Sequence, residues 1–391
     1  MRLGGLSGRS FFVEPSNGST GNQGILPMLT SIVGRPVSEV DTPALLIDLD
    51  AFERNIAGMA ADIAARGAGW RPHSKAHKCP AIAHKQIAAG AIGITCAKVG
   101  EAEVFVANGI KDILIANQIV GPIKTRRLAA LCRHADVAVA VDNPDNVCEL
   151  DVAAAEAGSR PRVVIEVNTG MERCGVAPGP ATVELAKRVA DSPNLRFAGV
   201  MSWEGHTLTI KEDEARKAEI LRAVESMVET AEACRAAGLT VEIVSAGGTG
   251  TYLTTSGVKG VTEVEAGGGI WGDISYRKLG ANVEPALSLM THVTSRPTPT
   301  RVITDAGRKS IDPTNTMPVL RDLETTGTFG FSAEHGTINL LQASQTPKIG
   351  DRLYFDVGYS DQCTHLHENF IGIRNGCVEV VWPISARGKL Q

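Results

Sequence analysis

The chain has no apolar run approaching the roughly 20 residues that a membrane span needs, and it has no surplus of positive charge. Its 39 Lys and Arg stand against 43 Asp and Glu, a formal net charge of −4 over 391 residues. The first absence argues against a spanning helix. The second leaves no basic face to neutralise a phosphate backbone, which argues against nucleic acid as a partner. The opening MRLGGLSGRSFF also lacks a lysine-rich flank followed by a long apolar stretch, so a cytoplasmic protein is expected. No Gly-x-Gly-x-x-Gly follows a first strand, which removes the dinucleotide fingerprint of an open α/β sheet. The eight cysteines form no Cys-x-x-Cys and no paired spacing, so neither a zinc ribbon nor a disulfide framework is indicated. They read as small buried hydrophobes, with Cys363 set apart by its polar, histidine-rich surroundings.

What is present is ordinary enzyme composition, 43% hydrophobic and 21% charged, on a chain long enough for one large and one smaller domain. Residues 1–40, rich in Gly, Ser, Asn and Pro, show no sustained period and read as an arm. From Thr42 the pattern alternates strand and helix. TPALLIDLD precedes AFERNIAGMAADIAARG, and GITCAKV, ILIAN, VAVAVD, RVVIEVN, FAGVMSW and VEIVSAGG each lead toward a helical stretch. Continuous Val/Ile runs indicate strands buried on both faces and therefore parallel. About eight such units over residues 41–286 predict an α/β fold of the (β/α)8 barrel kind. Residues 287–391 carry short Val/Thr-rich segments and turns, including the hairpin signal Asn375-Gly376, and predict a mostly β C-terminal domain.

In such a barrel the chemistry belongs at the carboxyl ends of the strands. The first cluster there is Arg71-Pro72-His73-Ser74-Lys75-Ala76-His77-Lys78. A lysine desolvated in a barrel mouth beside other cations is suited to imine formation with an aldehyde cofactor, although the same residues read alone are a basic turn. The second, Ser245-Ala246-Gly247-Gly248-Thr249-Gly250-Thr251, and a third, Glu265-Ala266-Gly267-Gly268-Gly269, are glycine loops whose free N–H groups can converge on a phosphate. Asn168 to Gly175 offers Arg173 as a two-pronged donor to an anionic oxygen, or as a salt-bridge partner of Glu166 or Glu172. Trp203-Glu204-Gly205-His206 puts an aromatic, a carboxylate and an imidazole at one strand end. In the β domain, His365 and His367 alternate as if along a strand, and with Asp361 or Glu368 they form a candidate metal grip.

The blocks PHSKAHK, EVNTGMERCGV, SAGGTGT and EAGG, followed by a β domain ending HLHE and VWPISARGK, stand in an order that resembles a known group. It is the D-threonine aldolase, 3-hydroxy-D-aspartate aldolase and D-serine dehydratase group of fold-type III pyridoxal-phosphate enzymes, typified by alanine racemase. The likeness runs from Thr42 to Lys389. It implies an alanine racemase-type barrel with Lys75 as the Schiff-base lysine and Arg173 against the cofactor's phenolic oxygen. It also implies that Gly247, Gly248, Thr249, Gly250, Gly267 and Gly268 hold the phosphate, with His73 and Trp203 in the cofactor's wall, in a homodimer that completes each site.

Two departures from the group's pattern stand out. Where its aldolases hold a metal with a His-x-Asp or His-x-Cys pair, this chain reads Tyr359-Ser360-Asp361, so a divalent ion (Mg, Mn or Zn) either has moved onto Asp361, His365 and His367 or is weakly held or absent. Trp203 replaces a tyrosine near the cofactor's ring nitrogen, leaving Glu204 to accept there. The expected substrate is a small amino acid. The expected reaction is retro-aldol cleavage of a β-hydroxy-D-amino acid, with Lys75, His365 and His367 in catalysis. Dehydration to a 2-oxo acid, metal-independent racemisation, and a non-catalytic cofactor carrier are the alternatives.

Overall fold

The computed structural model describes residues 32–321, 323 and 326–391. Most of the arm expected over residues 1–40 lies outside the described residues. Strand β1 (Ala44–Asp48) runs into helix α1 (Leu49–Ala64), which Asp48 caps by accepting from Ala51 N at 3.0 Å. Leu49, Phe52, Ile56, Met59 and Ile63 recur at three- and four-residue spacing and are all buried, the stripe of a helix laid on a core.

Eight strands alternating with helices follow: β2 (Gly69–Trp70), β3 (Ile94–Cys96), β4 (Asp112–Gln118), β5 (Asp136–Val141), β6 (Arg162–Glu166), β7 (Arg196–Met201), β8 (Ile243–Ala246) and β9 (Glu263–Val264). They pair in parallel in the order β2-β9-β8-β7-β6-β5-β4-β3. Thr95 N donates to Pro72 O at 2.9 Å and Ile92 N to Trp70 O at 2.8 Å, joining the two ends into the expected barrel. The apolar runs divide between two buried surfaces. Ile113, Ile115, Val137, Val139 and Val141 join the main core, whereas Leu114, Ala138, Ala140, Val164, Ala198 and Ile243 form a separate cluster. That strict alternation places the second set inside the barrel, where alanines suit the narrow centre.

A second sheet contains β10 (Leu287–Thr298), β11 (Arg301–Thr304), β12 (Val319–Leu320), β13 (Thr326–Phe331), β14 (Gly336–Leu340), β15 (Arg352–Asp356), β16 (Asn369–Arg374) and β17 (Cys377–Pro383). The expected hairpin joins the last two through left-handed Asn375 and Gly376, at φ 50° and 74°. One expectation fails here. β1 does not open the barrel; it lies in the second sheet, with Leu46 paired to Ser288 on β10 and to Ile371 on β16. Phe52 of α1 stacks on Trp271 at 5.6 Å, and Trp271 meets Phe370 of β16 at 4.9 Å. This aromatic joint fixes the β domain against the barrel mouth. Among the described residues no helix is long and apolar enough to cross a membrane.

Candidate active site

The carboxyl ends of the barrel strands open into a cavity of about 820 Å³. His73, Lys75, Arg173, Trp203, Gly247, Gly248, Thr249, Glu265, Gly267 and Gly268 line it from the barrel, and Thr316 and Tyr359 line it from the β domain. The cofactor residues expected from sequence therefore share one space, apart from Gly250, which does not line it and packs against Leu208 and Leu279.

Lys75 stands in a short 3-10 turn, Ser74–Ala76, capped by His73, whose Nδ1 accepts from Lys75 N at 3.3 Å. Burial holds His73 well below the usual histidine range, so the ring is neutral. The cations next to Lys75 in sequence are paired elsewhere. Arg71 turns down into the barrel, donating to Glu263 Oε1 at 2.9 Å and Asp112 Oδ1 at 2.7 Å, and Lys78 pairs with Glu101. Lys75 Nζ faces a carboxylate oxygen, Asp361 Oδ2, at 3.5 Å.

The two glycine loops are tied together. Thr249 Oγ1 accepts from Gly268 N at 2.9 Å and from Gly269 N at 3.1 Å. The indole of Trp203 lies so close over Gly248 that a Cβ there would meet it at 2.6 Å, and a Cβ on Gly267 would meet His73 O at 2.2 Å. Glycine is required at both positions by these approaches. Glu204 is fully buried beneath the first loop. Its Oε1 accepts from Thr251 Oγ1 at 2.7 Å and Thr255 Oγ1 at 2.6 Å, and its Oε2 from Gly247 N at 3.2 Å. Glu204 is thus a brace for the loop, and not the acceptor for a ring nitrogen that its place beside Trp203 suggests. Arg173 is half exposed, its Nη2 3.6 Å from Glu166 Oε1.

The expected metal grip is not assembled. His365 lies within a 3-10 turn, Thr364–Leu366, and His367 follows it, so the pair does not alternate along a strand. His367 Nε2 donates to Ser310 O at 2.7 Å and His365 is exposed. Asp361 instead accepts from Tyr359 OH at 3.1 Å. Among the described residues no group of three or more His, Cys, Asp or Glu could hold a metal ion. Cys363, singled out by its polar neighbours, is buried, and burial pushes its thiol up to about 12.

Two residues of the site, Asp273 and Tyr276, are not evident in the sequence, and neither is the part played by Glu265. Asp273 Oδ2 accepts from Ser360 N at 2.8 Å and Ser360 Oγ at 2.6 Å, fastening the Tyr359-Ser360-Asp361 turn to the barrel; burial pushes Asp273 up to about 6. Tyr276 sets its ring edge to face on Tyr359 at 5.9 Å. Glu265 accepts from Ser245 Oγ at 2.9 Å, and burial raises it to about 8 from an ordinary 4.5. The only local signal was that GDISY places an aspartate at a helix start, where Asp273 caps Tyr276 N.

Glu265 carries a pH prediction. Between about 4.5 and 8 the folded protein keeps a proton on it that the unfolded chain releases. Stability should therefore fall as pH rises through that window and level off above it. Replacing Glu265 by Gln should flatten this part of the curve, read as a smaller difference in Tm between acidic and mildly alkaline buffers; an unchanged slope would show that another group is responsible.

The donor set suits pyridoxal phosphate: a lysine in the cavity wall, two glycine loops at adjacent strand ends, and a buried Ser202 Oγ in the same wall without a protein partner. Comparison with known proteins gives the same frame. Residues 47–275 match the model "Alanine racemase, N-terminal domain", and residues 286–373 match a domain model named for serine dehydratase. The chain belongs to the alanine racemase-like, fold-type III pyridoxal-phosphate family. Within that family it is 37% identical to a D-threonine aldolase of Arthrobacter sp., covering 91% of this chain and 95% of the relative. It is 36% identical to a 3-hydroxy-D-aspartate aldolase of Paracoccus denitrificans, covering 92% and 96%. Among solved structures, the D-threonine aldolase from Filomicrobium marinum superposes with a TM-score of 0.88 at 37% identity, over 91% of this chain and 98% of that one. The D-threo-3-hydroxyaspartate dehydratase from Delftia sp. HT23 gives 0.81 at 29%, over 89% and 98%. An enzyme of the aldolase and dehydratase group of this family is what the comparisons establish.

Proposed function

We propose that this enzyme is a pyridoxal-phosphate-dependent lyase that cleaves β-hydroxy-D-amino acids by a retro-aldol reaction to glycine and an aldehyde. The observation that carries the reading is the placement of Lys75 Nζ between the glycine loops on one side and the Tyr359–Asp361 wall on the other. Pyridoxal phosphate, when bound, supplies the electron sink that weakens the bonds at Cα. The chain's own groups divide the remaining work. Gly247, Gly248 and Gly268, whose N–H groups are bound to Glu204, Thr251 and Thr249, would leave room for the phosphate, and the N–H groups of Thr249 and Gly267 with the Thr249 hydroxyl would hold it. Arg173 would donate to the phenolic oxygen, and Lys75 would carry the cofactor and move a proton at Cα. Neutral His73 packs against this arrangement without adding charge. The relatives named as aldolases of D-threonine and of 3-hydroxy-D-aspartate support a substrate with a β-hydroxyl and D configuration.

Dehydration to a 2-oxo acid and ammonia is the second reading, favoured by the structural likeness to a D-threo-3-hydroxyaspartate dehydratase. A homodimer belongs to the same proposal, because the side chains of Lys75 and Arg173 remain 44% and 51% exposed in one chain and a partner surface would close the site. Incubating the cofactor-loaded enzyme with D-threonine, D-serine and 3-hydroxy-D-aspartate tests the reaction. Glycine with an equimolar aldehyde is expected; a 2-oxo acid with ammonia, or the L-enantiomer as sole product, would overturn the aldolase reading.

A further inference from the structure

Aldol cleavage must take the proton from the β-hydroxyl, and the groups expected to gather a metal ion for that purpose do not converge here. His367 Nε2 is bound to a backbone carbonyl, His365 is exposed, and Asp361 faces a phenol and an ammonium. A phenol whose hydrogen is already given to Asp361 offers a divalent ion little, and one carboxylate beside a lysine is a poor cation site. The same groups do form a line. Tyr359, in the cavity wall, donates to Asp361 Oδ2 at 3.1 Å, and that oxygen lies 3.5 Å from Lys75 Nζ. Asp273 fixes the turn that carries both Tyr359 and Asp361 through two hydrogen bonds from Ser360. Asp361 Oδ1 is buried and has no partner, so the carboxylate retains capacity to take up a proton.

We propose that Tyr359, Asp361 and Lys75 form a metal-independent proton path that carries the β-hydroxyl proton of the substrate to Cα; this rests on the aldolase reading above. The β-hydroxyl gives its proton to Tyr359 Oη while Tyr359 passes its own to Asp361. The O–H pair becomes the second bond of the aldehyde, the Cα–Cβ bond breaks, and its electron pair remains with the Cα side. Asp361 hands the proton to the Lys75 amine, which delivers it to Cα to complete glycine. One proton leaves oxygen and one arrives on carbon, so the cycle balances without an outside acid, base or ion.

The test uses the cofactor-loaded enzyme and has two arms. Elemental analysis and calorimetric titration with Mn²⁺ should show no stoichiometric divalent ion and no binding isotherm, with cleavage unchanged after dialysis against a chelator; Tyr359→His, which restores the group's His-x-Asp pattern, should gain Mn²⁺ binding. In the second arm, Tyr359→Phe should lower kcat for cleavage by about 10²-fold or more. Exchange of the glycine α-proton with deuterated solvent, which needs Lys75 and not Tyr359, should fall by less than about tenfold. Stoichiometric metal in the wild-type enzyme, loss of cleavage in chelator, wild-type cleavage by Tyr359→Phe, or an equal loss of both reactions overturns the proton path while leaving the aldolase reading in place. A wild-type enzyme that exchanges the α-proton yet cleaves no β-hydroxy-D-amino acid overturns both.

Discussion

Replacing Lys75 by alanine is expected to remove the visible absorbance of bound cofactor and to lower kcat by about 10⁴-fold or more, the scale seen when a nucleophile that acts as part of a unit is deleted. Among the described residues that line the cavity Lys75 is the one lysine, so none of them places a second amine to take over its bond to the cofactor. Its side chain is 44% exposed and its charged end meets Asp361 at 3.5 Å. The substitution therefore removes little packing, and Tm should change by only a few degrees. A coloured, active Lys75→Ala protein would place the cofactor elsewhere. An inactive protein with a collapsed Tm would show that the residue serves the fold.

The second large effect is expected at Glu204, which touches no substrate position but carries the glycine loop. Its carboxylate satisfies Gly247 N and the hydroxyls of Thr251 and Thr255 in a site closed to water. Glu204→Ala strands three buried donors and opens a void, at a cost of about 3–5 kcal/mol in stability. Where about 3 kcal/mol of that appears as a disordered loop that the cofactor must reorder, the dissociation constant for pyridoxal phosphate rises by about 10²-fold. Titrating the apoprotein with cofactor and following Tm across the same series reads both quantities. A variant that melts early yet binds cofactor as tightly as wild type would show that the loop does not depend on the brace.

The barrel was legible because its strands are buried on both faces, and such strands leave unbroken Val, Ile and Ala runs that alternate between two cores. β1 has the same local character: its ALLI is fully buried. What assigns it to the β domain is its pairing with residues far along the chain, Met290 opposite Ala44 and Ile371 beside Leu46, and no local pattern encodes that choice. The site divides along the same line. Lys75 and the glycine loops announce themselves as short motifs whose place at strand ends follows from the fold. Glu204 and Asp361 are carboxylates whose meaning depends on what lies across from them. Glu204 was placed beside Trp203 by sequence and under Gly247 by the fold, and Asp361 was grouped with two histidines that follow it but faces Lys75 from the opposite end of the chain. His365 and His367 were misread because alternation implies a common direction only on an extended strand, and this segment is a 3-10 turn.

The most direct test of the assignment of Lys75 is reduction of the cofactor-loaded enzyme with borohydride, followed by proteolysis and mass spectrometry of every lysine-containing peptide. A single cofactor adduct on the peptide that holds Lys75, absent from Lys75→Ala, is the predicted result. An adduct on any other lysine, or none on a protein that still turns over β-hydroxy-D-amino acids, would contradict it.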